Sequence, residues 1–426
     1  MRFEDALSYL LSLGHETLAI KLGLTNTETL LNALGSPHHS FPAVQIAGTN
    51  GKGSTAAFLD SICLAARIRT GLFTSPHLVS ITERIKIDGR PISEDDFARL
   101  TNEVKTTAEQ LMRSGELETL PTFFEHMTAI ALLAFREARV QLAILETGLG
   151  GRLDSTTAAH AEIVAITQIA MDHEEYLGHT IEEIAAEKAA IIRPGVTAVI
   201  APQAAEAVSV IIRRCKDVEV TLRLVEPRTA LNDDLQLGLP GRHQTDNAEV
   251  AVGLAEVLRE SGFLISREAI IKGLSGAKHP GRLEFWESKP QILFDGAHNP
   301  AAATALKHYL DEFVQPPITM IFGAMRDKRL SEMATILFPN ANKLILTEID
   351  NPRAASVEDL RTAVPSDLDQ RRIFESLSVN EALQIAREIT KADDLILITG
   401  SLYLVGAAQQ ILQAEIAAVA RREIQH

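Results

Sequence analysis

The run Gly48-Thr49-Asn50-Gly51-Lys52-Gly53-Ser54-Thr55 sets three glycines around one lysine, followed by two adjacent hydroxyls. Such a loop suits a polyphosphate: successive backbone N–H groups and a helix N-terminus converge on anionic oxygens, a lysine adds charge, and a hydroxyl reaches Mg²⁺. Gly48, Gly51 and Gly53 permit close backbone approach, Lys52 is the cation, and Ser54 or Thr55 supplies the hydroxyl. The run departs from the ordinary Walker pattern, because Ile46 stands where its first glycine would be and Gly53 separates Lys52 from Ser54. A glycine turn without nucleotide is the plain alternative. It is disfavoured because an apolar strand pattern, loop, lysine, hydroxyl and helical pattern follow in order.

Other residues have chemical potential of their own. Glu125 opens an apolar helical pattern, and its neighbours at helical spacing are Thr128, Ala129 and Leu132; a carboxylate on such a face requires a partner. A first-turn glutamate held by the helix dipole alone is the alternative. His173 follows an apolar strand pattern, either as a ligand or as a satisfied structural histidine. Lys188 lies among Glu182, Glu183 and Glu187, so it reads either as a solvated ion-pairing lysine or as a buried amine made reactive by desolvation. Asp295 and His298 follow a second-half strand pattern, where a nucleotide-type sheet presents ligand groups. Arg282 follows Pro280-Gly281, a linker position from which it can clamp phosphate across a cleft.

Repeated elements must position these groups. Short apolar runs Val44–Ala47, Gly71–Phe73, Leu142–Leu145 and Ile163–Ile166 read as strands buried on both faces of a parallel sheet. Helical patterns at Thr55–Ala66, Phe123–Ala138 and Ile181–Ile192 separate them, and the alternation predicts an α/β domain. The glycine-rich loop, Thr74–His77, Glu146–Arg152 and Thr167–His173 each follow one of these strands, so a single site could collect all four. A second set of strands is expected at Gln291–Phe294, Ile318–Phe322, Lys343–Thr347 and Leu395–Thr399. With 426 residues, the chain exceeds the roughly 250–300 at which a single core stops growing. Two units are expected, 1–280 and 281–426.

Hydrophobic residues at 46% and charged ones at 23% are ordinary globular values. A net charge of -15 argues against nucleic-acid and anionic-membrane partners, since an acidic surface repels polyphosphates. Cys63 and Cys215 have no metal-site spacing and read as small core residues in a reducing compartment. The first residues lack a signal-peptide pattern, and no apolar run approaches a membrane span. A cytoplasmic monomer is expected.

Thr74-Ser75-Pro76-His77-Leu78 with Glu83-Arg84-Ile85, then Gly148–Asp154, then Met171-Asp172-His173 with Tyr176-Leu177-Gly178 follow the glycine-rich run. Glu187-Lys188-Ala189, Gly241–Gln244 with Asn247, Pro280-Gly281-Arg282, Asp295–Pro300 and Gly400–Tyr403 continue the series nearly to the C-terminus. With Ala47–Ser54, these motifs resemble, in order, those of the folylpolyglutamate synthase/dihydrofolate synthase family of the Mur ligase superfamily.

The resemblance implies an α/β fold with a P-loop parallel-sheet ATPase domain and a smaller Rossmann-like α/β domain. It implies an ATP-dependent ligase that joins L-glutamate to dihydropteroate, to a reduced folate, or to both, through an acyl phosphate. ATP contacts are implied for Gly51, Lys52, Gly53, Ser54, Thr55, Asn247, Arg282 and Asp295, and Mg²⁺ ligation for Ser54, Glu125 and His173. Substrate contacts are implied for Ser75, Pro76, His77, Thr122, Phe123, Phe124, Leu153, Asp154 and Ser155. Lys52, Lys188 and His298 are implied in catalysis, with Lys188 carbamylated and a monovalent cation as a further element. An imidazole such as His173 is unusual beside Mg²⁺, which prefers hard oxygen ligands, so Mn²⁺ is expected to substitute well. A peptidoglycan ligase of the same superfamily and a P-loop switch without ligase activity are the alternatives. Lys21 replaces the family's usual Asp in Ile20–Leu24, Ser155 and Thr157 replace Ala and Asn, and His279 replaces a frequent Trp. Lys21 either meets a glutamyl carboxylate or is solvent-exposed.

Overall fold

The computed structural model describes residues 1–14, 23–225 and 235–424. Ile20, Lys21 and Leu22 lie outside the described residues. Two sheets organise the chain. The first comprises β1 (Ala43–Ala47), β2 (Thr70–Phe73), β3 (Ile85–Ile87), β4 (Arg90–Pro91), β5 (Leu142–Glu146), β6 (Ile163–Ile166), β7 (Thr197–Ile200) and β8 (Leu222–Leu224), in the order β4-β3-β2-β5-β1-β6-β7-β8. Its strands from β2 to β8 pair in parallel, while β3 and β4 form an antiparallel edge.

The strands alternate their burial partners as a pleated sheet requires. Val44 and Ile46 pack with Phe58, Leu59 and Ile62 of the helix Lys52–Ala65 and with Val250 and Leu254 of the helix His243–Glu260. The opposite face places Ala43, Phe73 and Leu145 against the helix Phe123–Ala138, and Ala47, Val164 and Ile166 against the helix Ile181–Ala189. Helices on both faces explain why these strands are largely apolar.

The second sheet comprises β9 (Glu284–Trp286), β10 (Gln291–Phe294), β11 (Ile318–Phe322), β12 (Lys343–Thr347), β13 (Ile373–Ser376) and β14 (Leu395–Thr399), ordered β13-β12-β11-β14-β10-β9. Only β9 runs antiparallel to its neighbour. Every strand expected from the apolar runs is present. The helix after the glycine-rich loop starts at Lys52 rather than Thr55, because Gly51 takes a left-handed φ of 88° and turns the chain directly into it. The helix from Ile181 ends at Ala189 rather than Ile192; Pro194 disfavours helical geometry in Arg193 and brings the stop forward.

Both sheets reverse strand order where the ligand groups lie. In the first, β1 sits between β5 and β6; in the second, β14 sits between β10 and β11. A crevice opens beyond the carboxyl ends of strands at such a reversal.

Candidate active site

The glycine-rich loop leaves β1 and is pinned by the segment that follows β6. The backbone N–H groups of Thr49 and Asn50 donate to the carbonyl of Gln168 at 2.9 and 3.1 Å, and the Thr49 hydroxyl donates to the carbonyl of Ala170 at 3.0 Å. Gly51 permits its left-handed turn, and any Cβ there would lie 2.1 Å from Asn247 Oδ1. A Cβ on the inserted Gly53 would lie 2.7 Å from His279 Nε2 and 3.3 Å from Glu146 Oε2. The insertion is thus a place where the first turn of the helix passes close to two functional side chains. Lys52 Nζ donates to the carbonyls of Gly48 and Thr49 at 3.1 and 3.2 Å. Burial lowers its pKa, opposed by Glu146 and Asp172.

One cavity of about 630 Å³ brings most of the expected residues together. Gly51, Lys52, Gly53, Ser54, Ser75, Pro76, Thr122, Phe124, Glu125, Leu153, Asp154, Ser155, His173 and Lys188 line it from the first sheet's side, with Asn247 from the helix His243–Glu260. Arg282, Asp295 and His298 line it from the second. Thr55, His77 and Phe123 are not among its lining residues. Of the two candidate hydroxyls, Ser54 reaches the cavity, whereas Thr55 is fully buried and donates to the carbonyl of Asn247 at 3.4 Å. His77 accepts from Arg84 Nε at 2.8 Å, and burial with that guanidinium pushes its imidazole down to about 3. Phe123 is buried, its ring 5.3 Å from the Arg84 guanidinium carbon.

The acids divide their work. Glu125 completes a capping box: its carboxylate accepts from the N–H of Thr122 at 2.7 Å and from the hydroxyl of Thr27 at 3.1 Å. The Thr122-x-x-Glu125 spacing is a helix-start signal in the sequence itself. Glu146, the last residue of β5, was missed by sequence reasoning. It is buried, accepts from the N–H of Ser75 at 3.1 Å, and its burial-raised pKa is opposed first by Lys52, then by Ser75 and Arg282. A charge ending an otherwise apolar strand was the signal for it. Asp154 folds the Gly148–Asp154 loop by accepting from the N–H groups of Gly148 and Leu149, both at 2.9 Å.

Asp172 is the meeting point of the two halves. It accepts from Lys328 Nζ at 2.6 Å and from Asn299 Nδ2 at 3.0 Å, and lies 3.6 Å from His298 Nε2. Its neighbour His173 holds a left-handed φ of 51°, and burial lowers its imidazole to about 3, assisted by Lys328. Lys188 is buried and donates to the carbonyl of Gly48 at 2.9 Å; burial, with Lys52 nearby, lowers its amine to about 7. From the second sheet, Asp295 accepts from the N–H groups of Leu283 and Ala297 at 3.0 and 2.9 Å, next to the half-buried Arg282.

Among the described residues no group of three or more His, Cys, Asp or Glu could hold a metal ion by itself. The donors present nevertheless fit Mg²⁺, which is commonly bound by one or two carboxylates with waters and substrate phosphates rather than by an all-protein cage. Ser54, Glu146 and His173 all face the cavity beside the phosphate loop.

The fold and the divided cavity are those of a Mur-type ligase. The model for the Mur ligase middle domain matches residues 46–207, and that for the Mur ligase glutamate ligase domain matches residues 281–402. A dihydrofolate synthase/folylpolyglutamate synthase of Bacillus subtilis is 34% identical over 96% of this chain and 99% of its own length. A probable bifunctional folylpolyglutamate synthase/dihydropteroate synthase of Halobacterium salinarum is 35% identical over 96% of this chain, which spans 51% of that longer protein. The Mycobacterium tuberculosis folylpolyglutamate synthase complexed with ADP superposes with a TM-score of 0.87 at 31% identity, covering 96% of this chain and 99% of that one. A bifunctional folylpolyglutamate synthase/dihydrofolate synthase with Mn, AMPPNP and L-glutamate bound gives 0.82 at 29% identity, covering 97% and 98%. The chain belongs to the dihydrofolate synthase/folylpolyglutamate synthase family of Mur ligases.

Proposed function

We propose that the chain catalyses ATP-dependent formation of an amide between L-glutamate and the carboxylate of dihydropteroate, of a folyl-(poly)glutamate, or of both. The observation that carries this reading is a single cavity lined by the phosphate loop on one side and by Arg282, Asp295 and His298 on the other. The carboxylate attacks the γ-phosphorus of ATP, releasing ADP and leaving an acyl phosphate. The glutamate amine then attacks the acyl carbon, loses a proton, and expels inorganic phosphate.

Phosphoryl transfer asks the protein mainly for positioning and charge neutralisation. Lys52 and Arg282 supply fixed cations, and the loop N–H groups orient the phosphates. Asn247 and Asp295 hold the nucleotide. Phe124, Leu153 and Ser155 form the wall for the pterin. His298 steers the incoming amine. An acyl phosphate is prone to hydrolysis, so units 1–280 and 281–426 close over it before it forms. Ser54, Glu146 and His173 would hold Mg²⁺, with Mn²⁺ as its substitute; bound there, the ion would neutralise charge developing on the β- and γ-phosphates. Glu125 serves as the reciprocal residue of the Thr122 capping box, beside the substrate. Lys188, with its lowered amine, is the site of carbamylation. No helix among the described residues is long and apolar enough to cross a membrane. A cytoplasmic enzyme working as a monomer completes the proposal.

ADP release measured with each substrate omitted in turn tests the reading, run in parallel with dihydropteroate and tetrahydrofolate. Release that requires both glutamate and a pterin carboxylate is expected. Full hydrolysis with neither present would instead mark a P-loop switch.

A further inference from the structure

Asn299 has a carboxamide with two N–H donors and an oxygen with two lone pairs, and all four are used. The nitrogen donates to Asn50 Oδ1 at 2.9 Å and to Asp172 Oδ2 at 3.0 Å. The oxygen accepts from Asn50 Nδ2 at 3.3 Å and from the backbone N–H of Ala302 at 2.9 Å. The bond from Ala302 fixes the amide's orientation, since a backbone N–H demands an acceptor. At 1% exposure the side chain has no water to replace a lost partner.

Each partner belongs to a different part of the machinery. Asn50 lies in the phosphate loop, 249 residues away in sequence. Asp172 follows β6 and is gripped from the second sheet by Lys328. Ala302 is in the first turn of the helix Pro300–Phe313, which Asn299 caps. His298 immediately precedes Asn299, with Nδ1 anchored at 2.8 Å on the carbonyl of Gly296. A buried amide with every position filled transmits a displacement of one partner to the others, because moving one bond alone leaves a polar group unpaired.

We propose that Asn299 is a positioning residue that couples occupancy of the phosphate loop to the start of the helix Pro300–Phe313 and to His298. Nucleotide that orders Asn50 thereby sets the second sheet's side of the site. This rests on the nucleotide-binding half of the proposed function.

Amide hydrogen exchange on the full chain, with and without Mg²⁺ and a non-hydrolysable ATP analogue, reads the coupling directly. In the wild type the analogue slows exchange in the first turn of the helix Pro300–Phe313 by roughly tenfold. Asn299→Asp keeps the capping oxygen and removes both N–H donors; Asn50→Ala removes the partner without altering the second sheet. At saturating analogue each variant loses that protection, and the double variant loses no more than either alone, as expected for one shared contact. In Asn299→Asp, kcat falls by roughly ten- to hundredfold while KM for ATP changes by less than about threefold, the pattern of a lost positioning contact. A structural defect would instead raise exchange without nucleotide as well. Protection retained in either folded variant overturns the coupling and leaves the ligase reading intact. A wild-type chain that binds no nucleotide overturns both, and Asn50→Ala keeps the test decisive should Asn299→Asp fail to fold.

Discussion

Lys188 donates a hydrogen bond from Nζ to the carbonyl oxygen of Gly48 at 2.9 Å, across 140 residues of sequence. The contact joins a helix on one face of the first sheet to the first glycine of the phosphate loop. It also keeps the amine where burial lowers it to about 7. Carbamylation requires the neutral amine, which increases as pH rises through that value and is only about a tenth of the total one unit below it. Enzyme stripped of CO₂ is expected to lose activity and to recover on CO₂ addition faster above pH 7 than below it. Lys188→Ala should be inactive and partly rescued by short carboxylates. Full activity of Lys188→Ala, insensitive to both treatments, would sink the assignment.

Glu146 and Glu125 are expected to fail differently. Glu146→Gln should lower kcat by about a hundredfold or more, through loss of the carboxylate proposed to hold Mg²⁺. Its stability should not fall, because burial already disfavours the charged form. Glu125→Ala should cost about 0.3–1.5 kcal/mol through loss of its half of the capping box. ADP release and urea unfolding on both variants separate the roles, and the reverse pattern would return metal binding to Glu125.

Gly53→Ala adds a Cβ 2.7 Å from His279 Nε2. KM for ATP is expected to rise by roughly tenfold, about 1.4 kcal/mol of lost binding. His279→Ala in the same chain should recover much of it, since the nearest obstruction is a side chain. Additive losses in the double variant would show that the glycine serves backbone geometry alone.

Two of the ion pairs linking the halves differ in burial. Lys328 and Asp172 are 6% and 5% exposed, whereas Arg329 and Glu174 are 38% and 28%. Lys328→Met leaves a buried carboxylate short of its cation and should cost about 3–5 kcal/mol. Arg329→Ala should cost at most about 1 kcal/mol, in keeping with a solvent-screened pair. Equilibrium denaturation of both variants checks the contrast; equal losses would refute it.

Local pattern carried much of the architecture. Val44–Ala47, Leu142–Leu145 and Leu395–Thr399 read as buried strands because helices on both faces demand apolar residues without alternation. Gly48–Thr55 declared a phosphate loop by residue type alone, and the motifs after it declared the family. These properties reside in short stretches of chain, where spacing and side-chain chemistry suffice.

Pairing between distant segments was not legible in that way. Glu146 ended a strand pattern without a sign that it would stand beside Lys52 and Ser75, and Glu125 looked equally suited to the site. Ser54 and Thr55 are adjacent hydroxyls, and only the rotation of the helix turns one to the cavity and the other to the carbonyl of Asn247. His77 lies within a family motif yet turns to Arg84. Asn50 and Asn299 meet because two strand-order reversals face one another. The sequence alone determined which chemistry the chain carries, since that depends on residue types and near-neighbour spacing. Only the tertiary structure decided which groups share the site, because burial, partner and orientation are set by which segments fold together, 71 residues apart for Ser75 and Glu146 and 249 for Asn50 and Asn299.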